Sequence, residues 1–248
     1  MTNNIYFMAN WKMYGHASFL KPLNKFINLS KLKKYRRAKI IYFPPFTLIN
    51  DFINKFKKTN ISVGGQNCHH IEDYGSYTGS VSPKMLKDLG CDYVIIGHSE
   101  NRMLGETNEV INKKIQSALN KKLKVVFCIG ETSREKRKKI TYTVLKNQIN
   151  KGLKGIKKFK NILIAYEPVW SIGTGLIPSS KELELNILKI NKIISAKTKI
   201  KLPILYGGSV NDKNISILKN ITGIKGFLVG SASQNSKKFI DIIKKTIN

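Results

Sequence analysis

Short apolar runs alternate along this chain with longer stretches that carry apolar residues at helical spacing. Most runs are continuously apolar, which is typical of parallel strands covered by helices on both faces. The stretches between them place their apolar residues on one helix face. The predicted strands are residues 5–9, 39–43, 61–65, 93–97, 124–129, 162–166, 203–206 and 226–229. The predicted helices include residues 19–29, 108–119, 140–153, 182–195 and 239–243.

About eight strand–helix repeats predict an α/β fold, the (β/α)8 barrel. A doubly wound open sheet has the same alternation and is the structural alternative. It is disfavoured because neither a GxGxxG motif after the first strand nor a Walker lysine motif occurs. The sequence shows no Pro/Gly/Ser-rich linker, internal repeat or low-complexity tail, so we predict a single domain spanning residues 1–248.

The composition indicates a globular protein of a reducing compartment. Hydrophobic residues make up 42% of the chain, and no apolar run approaches the roughly 18 residues of a membrane span. The first predicted strand begins before a signal peptide would fit, so we expect a cytoplasmic protein. Cys68, Cys91 and Cys128 are odd in number and lack CxxC spacing, which predicts reduced thiols and no metal site.

The charge balance is strongly basic, with 44 Lys and Arg against 15 Asp and Glu and a net charge of +29. Such a charge makes nucleic acid a partner to consider. However, the excess is mostly Lys rather than the Arg that nucleic-acid readers use, and it is spread over helix-like segments 30–37, 134–146 and 237–245. We therefore favour a solvated basic surface over nucleic-acid binding. The positive field would attract anionic metabolites.

One carboxylate stands where the sixth predicted strand becomes a loop. The apolar run 162–166 leads into Glu167, Pro168 ends the strand, and Gly173 and Gly175 follow in a Gly-rich segment. This pattern is typical of a base at a strand end beside a closing lid.

Other polar side chains follow other predicted strands. Asn10 and Lys12 follow the first strand, and His98 and Glu100 follow the fourth. The loops after the strands of a barrel converge on one face, so these side chains should lie together. His98 also precedes a predicted helix start, where the positive end of the helix dipole favours the neutral imidazole.

Two Gly/Ser clusters follow the last two strands, at residues 207–209 and 230–233. Glycine lets backbone N–H groups approach an anion without an obstructing side chain. The loops after strands seven and eight are the usual phosphate site of this architecture, so both clusters together predict phosphate binding.

Six segments in one order and spacing resemble the triosephosphate isomerase family, and the match runs nearly end to end. The segments are residues 9–12, 97–100, 128–131, 165–175, 206–210 and 227–230. The resemblance implies a TIM barrel that interconverts dihydroxyacetone phosphate and D-glyceraldehyde 3-phosphate in glycolysis and gluconeogenesis. It implies no metal and no organic cofactor, because the adjacent carbonyl already activates the proton that is moved.

The resemblance also implies a role for each polar side chain. Glu167 would be the base that moves a proton between adjacent carbons, through an enediolate. His98, as neutral imidazole, would polarise the carbonyl and shuttle protons between the oxygens. Lys12 would offset the developing negative charge, and Asn10 would orient the substrate oxygens. Behind them, Glu100 and Ser99 would be supporting residues.

By the same resemblance, residues 168–176 form a lid that closes on the substrate and excludes water. The phosphate would be bound by backbone N–H groups of Gly173, Ser209, Gly230 and Ser231. The expected lid and desolvating residues are Pro168, Trp170, Ile172 and Leu228.

Residues 75–79 resemble the family's projecting loop, which enters the neighbouring subunit, so Tyr77 and Thr78 are expected at the interface of a homodimer. The sequence departs from the commonest family pattern at four positions. They are Ser80, Asn101, Leu176 and Ser231. Ser80 and Asn101 bear on dimer strength, whereas Ser231 keeps its backbone N–H.

Two other functions are compatible with parts of the sequence. One is a basic barrel that binds nucleic acid or another polyanion. The other is a different phosphosugar enzyme, such as an aldolase or an isomerase of larger sugars. The second is disfavoured because the sixth strand carries no Schiff-base lysine and no paired metal-ligating carboxylates are visible.

Overall fold

The computed structural model describes residues 4–248, and its centre is a closed barrel of eight parallel strands. The barrel closes because β1 pairs with both β2 and β8. The strands are β1 (Ile5–Asn10), β2 (Ala38–Phe43), β3 (Ser62–Gly65), β4 (Tyr93–Ile96), β5 (Lys124–Ile129), β6 (Ile162–Tyr166), β7 (Ile204–Tyr206) and β8 (Ile224–Val229). This closure confirms the predicted barrel and excludes the open doubly wound sheet.

Helices connect the strands around the outside of the barrel. They are α1 (Asn24–Lys31), α2 (Ile49–Phe56), α3 (Pro83–Leu89), α4 (Ser99–Met103), α5 (Asn108–Asn120), α6 (Ser133–Arg137), α7 (Thr141–Gly152), α8 (Ser180–Thr198), α9 (Ile215–Leu218) and α10 (Ser236–Ile247). Short 3-10 turns cover Ala17–Leu23, Lys33–Tyr35, Phe46–Leu48, Phe159–Asn161, Val169–Ser171 and Ser231–Ser233.

All eight predicted strands are confirmed, with ends that coincide or differ by at most two residues. The helix predictions needed more correction. The expected helix 19–29 is a 3-10 turn that contains Pro22 and then α1. Segment 30–37 is not one helix, because Leu32 is extended. Segment 134–146 is interrupted between α6 and α7, where Lys139 has a φ of 56°.

Helices α2, α3 and α9 were not predicted, and of α4 only the start was predicted. Most of them are a turn or two long, too short for a clear apolar period. Helix α2 is the exception, because Ile49, Phe52 and Phe56 recur on one face and are all buried. The helical spacing of apolar residues was therefore present in the sequence of α2, and this helix could have been predicted.

The apolar side chains form two separate layers. A smaller group, which includes Met8, Phe43 and Leu163, packs inside the barrel. A larger group packs between the strands and the helices. Alternate residues of each strand feed the two layers: Phe7 and Ala9 belong to the outer one and Met8 to the inner one. Burial on both faces explains why the strands are continuously apolar.

The three cysteines, Cys68, Cys91 and Cys128, are buried and form no disulfide. Burial raises the pKa of Cys68 and of Cys91 to about 12, so both are thiols at neutral pH. Among residues 4–248, no helix is long and apolar enough to cross a membrane.

One core side chain violates the rule that buried polar groups are paired. The Tyr42 hydroxyl is buried against Trp11, Phe26, Phe52 and Phe56 and has no hydrogen-bond partner in the described part of the chain. Burying an unpaired hydroxyl costs roughly 1–3 kcal/mol.

We therefore expect Tyr42→Phe to raise the free energy of unfolding by about 1 kcal/mol, measured by urea denaturation. Tyr166→Phe is the matched control, because the Tyr166 hydroxyl donates to Glu131 and accepts from Asn186. That variant should be destabilised. A Tyr42→Phe protein less stable than wild type would show that the hydroxyl is paired after all.

Candidate active site

A cavity of about 600 Å³ opens where the carboxyl ends of the strands meet. The structure brings most of the predicted site residues to its wall. These are Asn10, Lys12, His98, Glu100, Glu167, Ile172, Gly173, Ser209, Leu228, Gly230 and Ser231. The cavity is also lined by Met13, Tyr14 and Gln234, to which no sequence pattern had pointed. Gln234 Nε2 donates to the Trp11 carbonyl, 3.2 Å away.

Two buried side chains face one another at the base of the cavity. His98 Nε2 lies 3.4 Å from Glu167 Oε1, and the two side chains are 6% and 3% exposed. Burial raises the pKa of the Glu167 carboxyl, while His98, the Ser99 backbone N–H and Lys12 oppose the shift. The carboxylate is therefore a stronger base than an exposed glutamate.

The His98 ring is oriented by the start of α4. His98 is the N-cap of this helix, and its Nδ1 accepts a hydrogen bond from the Glu100 backbone N–H at 3.2 Å. An accepting Nδ1 carries no proton, so in the neutral ring the proton is on Nε2, which faces Glu167. The predicted helix start directly after His98 is confirmed.

Lys12 is held by both its side chain and its backbone. Its Nζ lies 2.5 Å from Glu100 Oε1, and its backbone is left-handed, with a φ of 55°. This conformation is strained for a residue with a side chain. Gln66 Nε2 donates to the Lys12 carbonyl and to the Phe43 carbonyl, each at 2.8 Å. Asn10 Oδ1 accepts from the Lys12 N–H.

The sequence pattern gave Gln66 no role, and its structural role follows from these contacts. Its single NH2 group joins the loop after β1 to the last residue of β2 by donating to a carbonyl of each.

Arg102 is a second residue whose part was missed. From α4 its guanidinium donates to the carbonyl of Gly97 at 2.8 Å and to that of Cys128 at 3.1 Å. Gly97 directly precedes His98 and has a φ of +76°. Arg102 therefore joins the loop that carries His98 to the end of β5. The only sign of this role in the sequence is that Arg102 lies shortly after His98.

Two glycines leave room for Glu167. A Cβ on Gly207 would lie 2.8 Å from Glu167 Cγ, and a Cβ on Gly130 would lie 1.7 Å from the Glu167 carbonyl oxygen. Any larger residue at either position would displace the carboxylate or its backbone. The glycines that follow β5 and β7 thus fix the position of a side chain at the end of β6.

The backbone N–H groups that were predicted to bind phosphate differ in their hydrogen-bond partners. The Ser209 N–H donates to the hydroxyl of Ser171 in the predicted lid, at 3.3 Å. Within residues 4–248 the N–H groups of Gly173, Gly230 and Ser231 donate to no protein acceptor. Three donors near the cavity are thus available to a ligand, and the fourth is occupied by the lid.

The first turn of the predicted lid is anchored to the end of β5. Trp170 Nε1 donates to Glu131 Oε1 at 2.8 Å, and the Tyr166 hydroxyl donates to the same carboxylate at 3.1 Å. Burial raises the pKa of Glu131, and the hydrogen bond from Trp170 opposes this shift. Pro168, the first residue of the lid, is buried beside this anchor.

The predicted dimer loop does not reach the cavity of its own chain. Tyr77 and Thr78 are exposed, and the Tyr77 ring packs on His69 with centroids 4.6 Å apart. Lys12 also lines a second opening of about 220 Å³, together with Asn101 among others. Exposed apolar side chains of the loops and of α4 include Met13, Phe46, Tyr74, Met103 and Leu104.

Comparisons with known proteins agree on one family. The family model described as triosephosphate isomerase matches residues 5–246. A triosephosphate isomerase of Dictyoglomus thermophilum is 44% identical over 247 residues, covering 95% of this chain and 97% of the relative. One of Geotalea uraniireducens is 41% identical over 244 residues, covering 95% and 96%. A crystal structure of triosephosphate isomerase from Bartonella henselae has a TM-score of 0.88 at 31% identity, covering 98% of each chain.

The raised pKa of Glu167 gives a stability prediction with a definite sign. As pH rises above the ordinary glutamate pKa of 4.5, the unfolded chain loses this proton before the folded chain does. Stability contributed by this group is therefore lost as pH rises. We expect Glu167→Gln to increase the free energy of unfolding more at about pH 8 than at about pH 4.5, measured by urea denaturation.

Glu109→Gln is the control, because Lys151 lowers the pKa of the exposed Glu109 and the sign is reversed. This variant should not be stabilised. A Glu167→Gln protein that is less stable than wild type at about pH 8 would contradict the assigned burial penalty.

Proposed function

The chain belongs to the triosephosphate isomerase family and interconverts dihydroxyacetone phosphate and D-glyceraldehyde 3-phosphate, and we propose that Glu167 and His98 carry out its proton transfers. The reaction is a step of glycolysis and gluconeogenesis. The observation that carries the proposal is the buried pair itself, with His98 Nε2 3.4 Å from Glu167 Oε1 at the base of the cavity.

In this mechanism the Glu167 carboxylate removes a proton from the carbon beside the carbonyl. Burial of the carboxylate supports this role, because it raises the basicity of Glu167. The Nε2 proton of His98 stabilises the carbonyl oxygen as it becomes negative, giving an enediolate. His98 then moves a proton between the two oxygens, and Glu167 returns its proton to the neighbouring carbon.

Lys12 and Asn10 complete the environment of the substrate oxygens. The Lys12 ammonium offsets the charge of the enediolate, and the Asn10 amide orients the substrate. Glu100 positions both Lys12 and His98. Its carboxylate pairs with Lys12 Nζ, and its backbone N–H donates to His98 Nδ1. Ser99 supports Glu167 through its backbone N–H.

We propose that residues 168–176 close over the substrate phosphate. The cavity of about 600 Å³ has room for roughly 20 waters at about 30 Å³ each, and a triose phosphate replaces only part of them. The phosphate oxygens would accept hydrogen bonds from the backbone N–H groups of Gly173, Ser209, Gly230 and Ser231. Because Ser209 now donates to Ser171, phosphate binding would release that contact and free the lid.

Closure would bring the lid residue Ile172 toward Leu228 and the carboxylate of Glu167, all of which line the same cavity. Excluding water at this point strengthens the electrostatic contacts and retains the reactive enediolate. No metal or organic cofactor enters this mechanism, and we expect activity to persist in EDTA.

We further propose a cytoplasmic homodimer in which residues 1–248 form one catalytic domain. Tyr77 and Thr78 would enter the partner beside Lys12, where the second opening of about 220 Å³ lies. The exposed apolar side chains of the loops and of α4 support an interface. We propose no nucleic-acid partner, because the excess charge is dispersed lysine.

The assignment of the base is tested by Glu167→Asp. The shorter side chain withdraws the carboxylate by about 1 Å, so kcat should fall on the order of 100-fold in a coupled assay of D-glyceraldehyde 3-phosphate isomerisation. KM should change much less. Glu109→Asp, an exposed carboxylate elsewhere, is the control. Near-wild-type turnover in Glu167→Asp would refute the role of Glu167.

The dimer proposal is tested by deleting residues 76–78. The variant should sediment as a monomer with very low activity, although it retains Glu167 and His98. Two subunits of +29 repel, so the wild-type monomer fraction should fall between about 50 and 500 mM salt as charges are screened. A fully active monomer across this range would eliminate both the interface and the cross-subunit role of Thr78.

A further inference from the structure

A lysine outside the cavity contacts both the first turn of the lid and the helix that follows the lid. Lys136 of α6 places its Nζ 3.4 Å from the centroid of the Trp170 ring and 2.8 Å from Glu182 Oε1. Trp170 belongs to the first turn of the lid, and Glu182 to the first turn of α8, which follows the lid. One ammonium group therefore bridges the entry of the lid and the helix after its exit.

Trp170 is held in two perpendicular directions. Glu131 accepts from the edge of the indole at 2.8 Å, while Lys136 lies over its face. An edge contact alone leaves the ring free to pivot about the hydrogen bond, and a face contact removes that freedom. The Lys136 side chain is only 35% exposed, and a partly desolvated cation is attracted to an aromatic face more strongly than a hydrated one.

We propose that Lys136 is a positioning residue that holds Trp170, and with it the lid, in the arrangement seen in this structure. The inference rests on the proposed closure of residues 168–176. A lid cannot close while its own first turn stays fixed, so closure must loosen or rearrange the contact between Lys136 and Trp170. Lys136 thereby adds to the free-energy difference between the two lid positions and lowers the resting fraction of closed lids.

The test replaces Lys136 by methionine, which keeps the length of the side chain and removes its charge. Phosphate-free glyceraldehyde is the informative substrate, because it cannot draw the lid closed and its turnover reports the lids that close spontaneously. We expect Lys136→Met to raise kcat/KM for glyceraldehyde two- to fivefold, the size of an ordinary cation–π contact.

The phosphorylated substrate gives a second readout. Its KM should fall by about the same factor in Lys136→Met, because less binding energy is used to move the lid, while kcat should not rise. A variant that only loses stability would not show this division between KM and kcat, nor a gain with glyceraldehyde. Thermal melting followed by circular dichroism checks the fold, and Lys136→Gln repeats the comparison if the methionine variant does not fold.

Two controls complete the design. Lys138→Met removes an exposed lysine at the end of the same helix, which makes no ion pair or aromatic contact with described residues, and it should match wild type. Lys136→Arg should also match wild type, because a guanidinium stacks on an indole as an ammonium does.

Three results would count against the proposal. Unchanged glyceraldehyde and KM values in a folded Lys136→Met enzyme would overturn the role of Lys136 and leave the isomerase mechanism standing. An equal gain in Lys138→Met would show that the effect comes from the loss of any positive charge on this helix, and it would also overturn the role of Lys136. A wild-type protein without isomerase activity would overturn the proposed function and this inference together.

Discussion

The rest of the site depends on one constraint, which is that an ionisable carboxylate must be buried at the mouth of an apolar barrel. Water is largely removed from Glu167, which is 2% exposed, and its raised pKa records the cost. The neighbouring groups reduce that cost: the Ser99 N–H and His98 act directly and Lys12 at longer range. Each of these groups is fixed in turn by Glu100 or by the start of α4. The site is thus an ordered set of contacts around one charge that the fold does not solvate.

The barrel supplies the rigidity that this arrangement needs. Glu167 follows β6, and its place is shaped by glycines after β5 and β7 that leave no room for a side chain. Lys12 and His98 come from β1 and β4, and Gln66 and Arg102 bind the backbones beside them. Closure of the sheet fixes the relative positions of all these strand ends, so no single loop has to define the site. The lid is the contrasting element, because its contacts with Glu131, Ser209 and Lys136 are polar and few enough to be exchanged for contacts with a ligand.

Much of this organisation was predictable from the sequence, and the failures have identifiable physical causes. Buried strands are apolar on both faces, so they could be recognised in the sequence as continuous apolar runs. The polar residues that follow these runs indicated where the cavity lies. The short helices α3 and α9 were missed because one or two turns carry no period. Gln66, Arg102 and Lys136 were given no role because each acts on a group distant in sequence: a carbonyl 54 residues away for Gln66, and an indole for Lys136. Such contacts exist only after the barrel has closed, and residue type alone does not reveal them.

The charge of the chain explains why these few carboxylates matter. With 44 basic and 15 acidic side chains, most basic side chains cannot have an acidic partner of their own. Three of these acids each meet a particular lysine: Glu100 of the cavity wall meets Lys12, Glu106 meets Lys114, and Glu182 of α8 meets Lys136. Other ion pairs, such as Lys84 with Asp88 and Lys151 with Glu109, lie at the exposed surface, where they contribute little. These three carboxylates thus fix particular cations in place, while the excess of basic side chains gives a diffuse positive field that favours the approach of an anionic substrate.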